Sequence, residues 1–145
     1  MRRLLVDTSA YSMAMRGRPQ AVGPTRLAEF LAVTPVVLGE LLAGFRQGNR
    51  EQSNRTELQR FLASPRVHLM QISEGTAEYY AGLLAALSHQ GTRIPTNDIW
   101  IAASAVEFGL TLLTADRHFL SCPLLTVCLL EQDPPSPSTE HAEIE

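Results

Sequence analysis

Residues 4–11 read Leu-Leu-Val-Asp-Thr-Ser-Ala-Tyr, an apolar run that leads directly into an acid and two hydroxyl side chains. With Arg2 and Arg3 in front of it, the run predicts a short buried strand over residues 2–6 that ends at Asp7. In open α/β sheets, ligands bind at the carboxyl ends of the strands. The stretch therefore predicts a sheet protein with a functional acid at position 7.

The rest of the chain alternates between apolar segments of strand length and of helix length. Helix boundaries are marked by Thr34-Pro35, Gly48, Gly91 and Gly109. This alternation predicts an α/β protein with a parallel sheet covered by helices on both faces, in one domain over residues 1–130. The predicted strands are 67–72, 111–114 and 124–130, with a very short one near Val33, and the predicted helices are 24–32, 35–45, 50–63, 76–88 and 97–108.

The composition is that of a globular protein: 45% of the 145 residues are hydrophobic, and no apolar run reaches the ~20 residues that a membrane helix needs. Only three apolar residues precede Asp7, too few for a signal peptide, so we expect a cytoplasmic protein with no membrane partner. Residues 131–145 carry five acids, no base and three prolines. We expect this acidic, proline-rich tail to be disordered.

The charge distribution favours a nucleic-acid partner in spite of a net charge of −3. Residues 1–130 alone hold 12 basic and 10 acidic residues, a net of +2, and every basic residue is an arginine. Arginine binds phosphate through two parallel hydrogen bonds and keeps its charge at any working pH. A bias in genome composition explains the missing lysine equally well.

Four acids occupy positions that a structural role, such as a turn or a cap, does not fully explain. Asp7 and Asp116 follow predicted strands, and Asp98 lies at the start of a predicted helix, where the helix dipole favours a negative charge. Glu40 lies inside an apolar helix, where a lone buried charge is costly. Each acid alone can be a turn or capping residue. The set of four predicts one cluster at the edge of the sheet.

Carboxylates brought together raise one another's pKa, and divalent cations resolve that conflict. All-oxygen ligation suits Mg²⁺ or Mn²⁺. Such ions can polarise a phosphate oxygen, lower the pKa of an attacking water and stabilise the leaving oxygen. The residues therefore predict metal-dependent cleavage of a phosphodiester, with Asp7, Glu40, Asp98 and Asp116 as catalytic metal ligands.

At these positions the sequence resembles the PIN-domain nucleases and, among them, the VapC-type toxins of bacterial toxin–antitoxin pairs. The resemblance runs through nearly the whole chain to about residue 130. The matching segments are 4–11, Thr-Pro-Val-Val-Leu-Gly-Glu-Leu-Leu-Ala-Gly (34–44), Asn-Asp-Ile-Trp-Ile-Ala-Ala-Ser-Ala (97–105) and Leu-Leu-Thr-Ala-Asp-Arg-His-Phe (112–119).

The resemblance implies a three-layer α/β/α fold with a parallel sheet of strand order 3-2-1-4-5. It also implies Mg²⁺- or Mn²⁺-dependent endoribonuclease activity, inhibition by a cognate VapB-type antitoxin, and a homodimer that forms a hetero-oligomer with that antitoxin.

The family's four acids correspond to Asp7, Glu40, Asp98 and Asp116, which are thus expected to hold the metal. Its hydroxyl or amide positions near the metal correspond to Thr8 or Ser9, and to Thr114. Serine at position 9 departs slightly from the family, in which asparagine is common there. These three hydroxyls serve equally well as simple caps. Arg117 and His118, next to Asp116, are placed either to touch RNA or to stabilise the turn.

Other phosphoryl-transfer folds fit less well. A haloacid-dehalogenase-type phosphatase needs a second aspartate where Ser9 stands, and a receiver domain needs a lysine that the chain does not have. A dinucleotide-binding fold needs a glycine-rich turn after its first strand, and residues 7–10 are not one. A non-catalytic PIN-like domain that only binds RNA or a protein is the alternative that stays open.

Each of two charged stretches has more than one interpretation. Arg46, Arg50, Arg55, Arg60 and Arg66 form a basic stretch that is able to contact phosphates near the site, although a solvated helical face explains most of it as well. The acidic tail can also mimic phosphate and occupy the chain's own active site.

Overall fold

Strand β1, Arg3–Val6, lies in the centre of a five-stranded parallel sheet in the computed structural model, which describes residues 2–133. The strand order is β3-β2-β1-β4-β5. Leu5 pairs with Ala32 on one side and with Leu112 on the other. The expected order 3-2-1-4-5 is confirmed. The other strands are β2 (Phe30–Val33), β3 (Val67–Leu69), β4 (Thr111–Thr114) and β5 (Val127–Leu129).

Helices cover both faces of this sheet. Leu4, Leu5 and Val6 are consecutive and point alternately to opposite faces, yet each is at most 3% exposed. A strand buried on both faces is typical of a sheet between two helical layers, so the α/β/α arrangement is confirmed. The helices are α1 (Thr8–Met15), α2 (Pro19–Leu27), α3 (Pro35–Gln47), α4 (Glu51–Ala63), α5 (Glu74–Gln90) and α6 (Thr96–Glu107), and a 3₁₀ turn covers Arg117–Ser121.

One predicted helix is wrong. Residues 24–32 were expected to be helical, but α2 ends at Leu27 and Phe30–Val33 form strand β2. Leu27, expected on the buried face, is 73% exposed. The short apolar run Phe-Leu-Ala-Val is compatible with either a helix or a buried strand. It forms a strand because it pairs with β1.

Helix α3 begins as the sequence predicts. The Thr34 hydroxyl accepts a hydrogen bond from the Val37 backbone N–H at 3.3 Å, and Pro35 occupies the first turn. Thr34 is fully buried, so this cap lies at the end of β2 and fixes the direction in which α3 leaves the sheet. Because Glu40 lies on α3, the cap also helps to place that acid.

The chain that follows β5 stays in contact with the rest of the domain as far as residue 133. The Leu130 N–H donates to the Thr114 carbonyl at 2.7 Å. The Gln132 amide donates to the Ala115 carbonyl at 2.9 Å, and Asp133 pairs with Arg18 at 3.1 Å. The boundary at residue 130 stays a prediction, and most of the tail expected to be disordered, residues 134–145, lies outside the described residues. No helix within residues 2–133 has the length and apolar character to cross a membrane.

Replacing Thr34 by alanine should lower the free energy of unfolding by about 1–2 kcal/mol, because the buried Val37 N–H loses its side-chain acceptor. Chemical denaturation of the metal-free protein measures this loss. Thr34→Ser keeps the acceptor and is expected to lose less. Equal losses for alanine and serine would show that the missing methyl group, rather than the cap, accounts for the change.

Candidate active site

The four predicted acids come from four different elements and meet at the carboxyl edge of the central strands. Asp7 follows β1 and caps α1, and Asp116 follows β4 and caps the 3₁₀ turn. Asp98 lies in the first turn of α6, and Glu40 in the second turn of α3. Parallel strands β1 and β4 are neighbours, so their carboxyl ends bring Asp7 and Asp116 to the same place.

Asp7 is the buried centre of the group, with 5% of its surface exposed. Its Oδ2 accepts hydrogen bonds from the hydroxyls of Thr114 at 2.6 Å and Ser9 at 3.2 Å. Its Oδ1 accepts from the Thr8 backbone N–H at 2.7 Å. Burial raises the pKa of Asp7, these three hydrogen bonds lower it in part, and the charge of Asp116 raises it further.

The hydroxyls around Asp7 also connect it to the other acids. The Thr114 hydroxyl accepts from the Asp116 N–H at 3.0 Å while it donates to Asp7. The Ser9 hydroxyl accepts from the Ala115 N–H at 3.0 Å. The Thr8 hydroxyl donates to Glu40 Oε1 at 3.2 Å. Thr8, Ser9 and Thr114 thus all lie within the cluster, where the sequence left open whether they were only caps.

The acids repel one another. Burial raises the pKa of Glu40, and the charge of Asp7 adds to that effect. Burial likewise raises the pKa of Asp98 to about 6, and the charges of Asp7, Asp116 and Glu40 each contribute. Asp98 therefore interacts with the other three acids together. The structure brings the whole predicted set into one site.

A tighter subset includes a residue that the sequence did not assign to the cluster. A carboxylate oxygen of Asp98, one of Asp116 and a ring nitrogen of His118 all lie within 4.8 Å of one another. His118 Nδ1 is 2.9 Å from Asp116 Oδ1, which also accepts from the His118 N–H. A signal was present in the sequence, because His118 follows Asp116 by two residues in a single turn.

The donor set fits a divalent cation. Within residues 2–133, His118 is the one basic side chain paired with any of the four acids. The carboxylates are therefore short of positive charge, and oxygen-rich sites with this deficit are the ones that hard divalent ions occupy. Asp98 and Asp116 offer ligand atoms within 4.8 Å of each other, Asp7 lies deeper in the protein, and Glu40 joins the site through the Thr8 hydroxyl.

Two further residues border the site. Arg117 is exposed between Asp116 and His118, and its side chain forms no hydrogen bond with the acids within residues 2–133. Gln132, which the sequence gave no reason to single out, binds the carbonyl of Ala115 immediately before Asp116. This contact forms because the chain after β5 passes close to the end of β4, and no local sequence pattern predicts it.

Comparison with known proteins agrees with this fold. The family model described as PIN domain matches residues 4–123. Ribonuclease VapC4 of Mycobacterium tuberculosis is 33% identical over 124 residues, covering 85% of this chain and 93% of that protein. Ribonuclease VapC2 of Rickettsia felis is 31% identical over 96 residues, covering 66% of this chain and 70% of that protein.

Among solved structures, VapBC2 from Rickettsia felis, bound to a DNA fragment from its promoter, contains a chain similar to this one. The TM-score is 0.80 at 25% identity, over 88% of this chain and 98% of that one. The chain therefore belongs to the PIN-domain family, and within that family its relatives are the VapC ribonucleases. Members of this class are metal-dependent ribonucleases, in keeping with the acid cluster described above.

Replacing Asp98 by asparagine should stabilise the metal-free protein by about 1 kcal/mol above pH 6, after allowance for solvent around this half-buried group. The raised pKa means that the ionised form is disfavoured in the folded state. Below the ordinary pKa of 3.8 the carboxyl is protonated in both states, so the gain should vanish there.

Thermal unfolding in chelator, at several pH values, measures this effect. Glu78→Gln removes an exposed acid that lies near Val106, at the far end of α6, and should change little. A lower melting temperature for Asp98→Asn at neutral pH would contradict the repulsion inferred for the cluster.

Proposed function

We propose that this chain is the toxin of a VapBC-type toxin–antitoxin pair and hydrolyses RNA phosphodiester bonds with Mg²⁺ or Mn²⁺ held by Asp7, Glu40, Asp98 and Asp116. The observation that carries the proposal is the arrangement of the four acids at one edge of the sheet. Asp7 and Asp116 follow the neighbouring strands β1 and β4, and Thr8 hydrogen-bonds to both Asp7 and Glu40. A carboxylate oxygen of Asp98 lies within 4.8 Å of one of Asp116. The named relatives are ribonucleases, which supports RNA as the substrate class.

A bound divalent cation supplies positive charge to the phosphate oxygens and makes water a better nucleophile. Asp98 and Asp116 offer carboxylate oxygens within 4.8 Å of each other, and Asp116 is oriented by the N–H of His118. Asp7 is oriented by Thr114, Thr8 and Ser9, which leave its carboxylate no freedom to turn. Glu40 is oriented by the Thr8 hydroxyl.

The hydroxyl side chains act as positioning residues. Thr8, Ser9 and Thr114 hold ionised oxygens of the acids in fixed directions, as outer partners of metal ligands do. Arg117 is exposed beside Asp116 and is suited to contact a phosphate that approaches from solvent. His118, on the same turn, is placed to contact the substrate or the metal from the outer side of the site.

The partners proposed for the chain follow from its relatives. The Rickettsia felis structure is a VapBC complex on promoter DNA, so we propose a VapB-type antitoxin as the inhibitory partner of this chain. The assembly is expected to contain a toxin homodimer joined to antitoxin subunits. We also propose that the chain acts in the cytoplasm, where an RNA-cleaving toxin meets its substrate.

Each of the substitutions Asp7→Asn, Glu40→Gln, Asp98→Asn and Asp116→Asn should lower the rate of RNA cleavage at least about 100-fold, because each removes an ionised metal ligand. The assay is cleavage of a single-stranded RNA with Mg²⁺ or Mn²⁺, and chelator should abolish it. Glu29→Gln is the matched control, since Glu29 is exposed just before β2, at the opposite end of the sheet. Full cleavage by two or more of the acid variants would refute the site.

Thr114→Val should weaken Mg²⁺ binding about 10- to 100-fold, because the change removes the 2.6 Å hydrogen bond to Asp7 and the acceptor for the Asp116 N–H while keeping the shape of the side chain. Calorimetric titration with Mg²⁺ measures the affinity directly. Thr114→Ser retains the hydroxyl and should retain most of the affinity. An unchanged affinity in the valine variant would show that this hydroxyl does not position the ligands.

A further inference from the structure

A second site lies one helical turn from the acids. A cleft of about 940 Å³ opens between α1, α3 and α4, and none of the four acids lines it. Tyr11, on its wall, donates its backbone N–H to the Asp7 carbonyl at 2.9 Å and so lies one turn of α1 after that acid. Arg16, which also lines the cleft, is about 13 Å from Asp7 along the direction of α1.

The lining of this cleft is cationic and polar. It contains Arg16, Arg50 and Arg60 against the single acid Glu57, a net charge of +2. Its remaining polar side chains are hydroxyls and an amide, and the half-buried ring of Phe45 provides one aromatic surface. Arginine and neutral donors together are the groups that bind a phosphate backbone, and an aromatic ring adds a surface on which a base can stack.

The arginines of the basic stretch divide into two sets. Arg46 and Arg55 both pair with Glu51, at 3.8 and 3.2 Å, and lie outside the cleft. Arg66 donates to backbone carbonyls at the end of α2 and so has a structural role. Arg50 and Arg60 line the cleft and, like Arg16, form no ion pair within residues 2–133.

An independent observation points to a ligand. Tyr11 is 4% exposed, and its hydroxyl is buried without a hydrogen-bond partner among the described residues. Its ring packs edge-on against Phe61 at 5.2 Å, so the side chain is held in place. A buried hydroxyl without a partner destabilises the folded chain, and a polar ligand in the cleft that bonds to it would remove that cost.

We propose that the cleft between α1, α3 and α4 binds the backbone of the single-stranded RNA substrate next to the cleaved bond, with Arg16, Arg50 and Arg60 on its phosphates and the Tyr11 hydroxyl on a phosphate or ribose oxygen. This inference rests on the proposed ribonuclease function. It assigns to the enzyme a substrate-binding track that leaves the acid cluster along α1 and α4.

The test measures binding of a short, fluorescently labelled single-stranded RNA to the full chain in chelator, which prevents cleavage, over a range of salt concentrations. The triple variant Arg16→Ala, Arg50→Ala, Arg60→Ala should bind at least tenfold more weakly. The slope of log affinity against log salt should become shallower by about 2, since each phosphate contact contributes about 0.7 for a single strand.

The matched control removes the same charge elsewhere, through Arg26→Ala, Arg46→Ala and Arg55→Ala, three arginines outside the cleft. A smaller change in affinity and slope is expected for the control. Equal changes in both triple variants would overturn the proposal, because they would show only a general effect of charge. If the cleft variant does not fold, Arg60→Ala alone, on the exposed last turn of α4, carries the same comparison against Arg26→Ala.

Tyr11→Phe separates ligand binding from packing. It keeps the contact with Phe61 and removes the hydroxyl, so the melting temperature should not fall, while RNA affinity should fall several-fold. Unchanged affinity would overturn the role given to Tyr11. Loss of antitoxin binding with unchanged RNA binding in the arginine variant would assign the cleft to a protein and overturn the proposal, whereas failure of the ribonuclease function itself would appear in the acid variants.

Discussion

The hydrogen bond from the Thr114 hydroxyl to the buried carboxylate of Asp7 ties together the ends of the two central strands. The same hydroxyl receives the Asp116 N–H, so one oxygen sets the relative position of two acids. A carboxylate that is 5% exposed is tolerable only with such donors around it. This contact links β1 to β4 beyond their backbone pairing, holds the carboxylate that caps α1, and orients the site.

Mutual repulsion explains why the acids come from separate elements. Four carboxylates on one helix would oppose the formation of that helix, whereas acids at the ends of packed elements meet only when the whole sheet has formed. The apolar core supplies the driving force, with side chains such as Leu5, Leu112 and Phe119 fully buried beneath the site. The folded state therefore carries uncompensated negative charge at one edge of the sheet, and this repulsion lowers its stability. A bound cation or a cationic partner removes the repulsion and stabilises the fold.

The sequence predicted most where signals are local. Thr34-Pro35 marks the start of α3, Gly91 takes the left-handed conformation that ends α5, and the apolar residues of β4 lie between clear boundaries. Asp7, Asp98 and Asp116 could be placed because each adjoins such a boundary, and Glu40 because a charge inside an apolar helix needs a partner. Phe30–Val33 was assigned wrongly because its strand conformation depends on pairing with β1. The contact of Gln132 with Ala115 and the unpartnered hydroxyl of Tyr11 also depend on residues far away in the chain, which no local pattern reveals.

The central position of β1 has a consequence for the synthesis of the protein. Strand β1 pairs on one side with β4, which begins more than a hundred residues later in the chain, at Thr111. Until that segment emerges, Asp7 has neither its Thr114 partner nor the neighbouring Asp116, and Asp98 has no cluster to join. A nascent chain therefore carries no assembled site until residues 111–116 have emerged and β4 has paired with β1. The long-range topology delays the appearance of the nuclease until this late segment has been made.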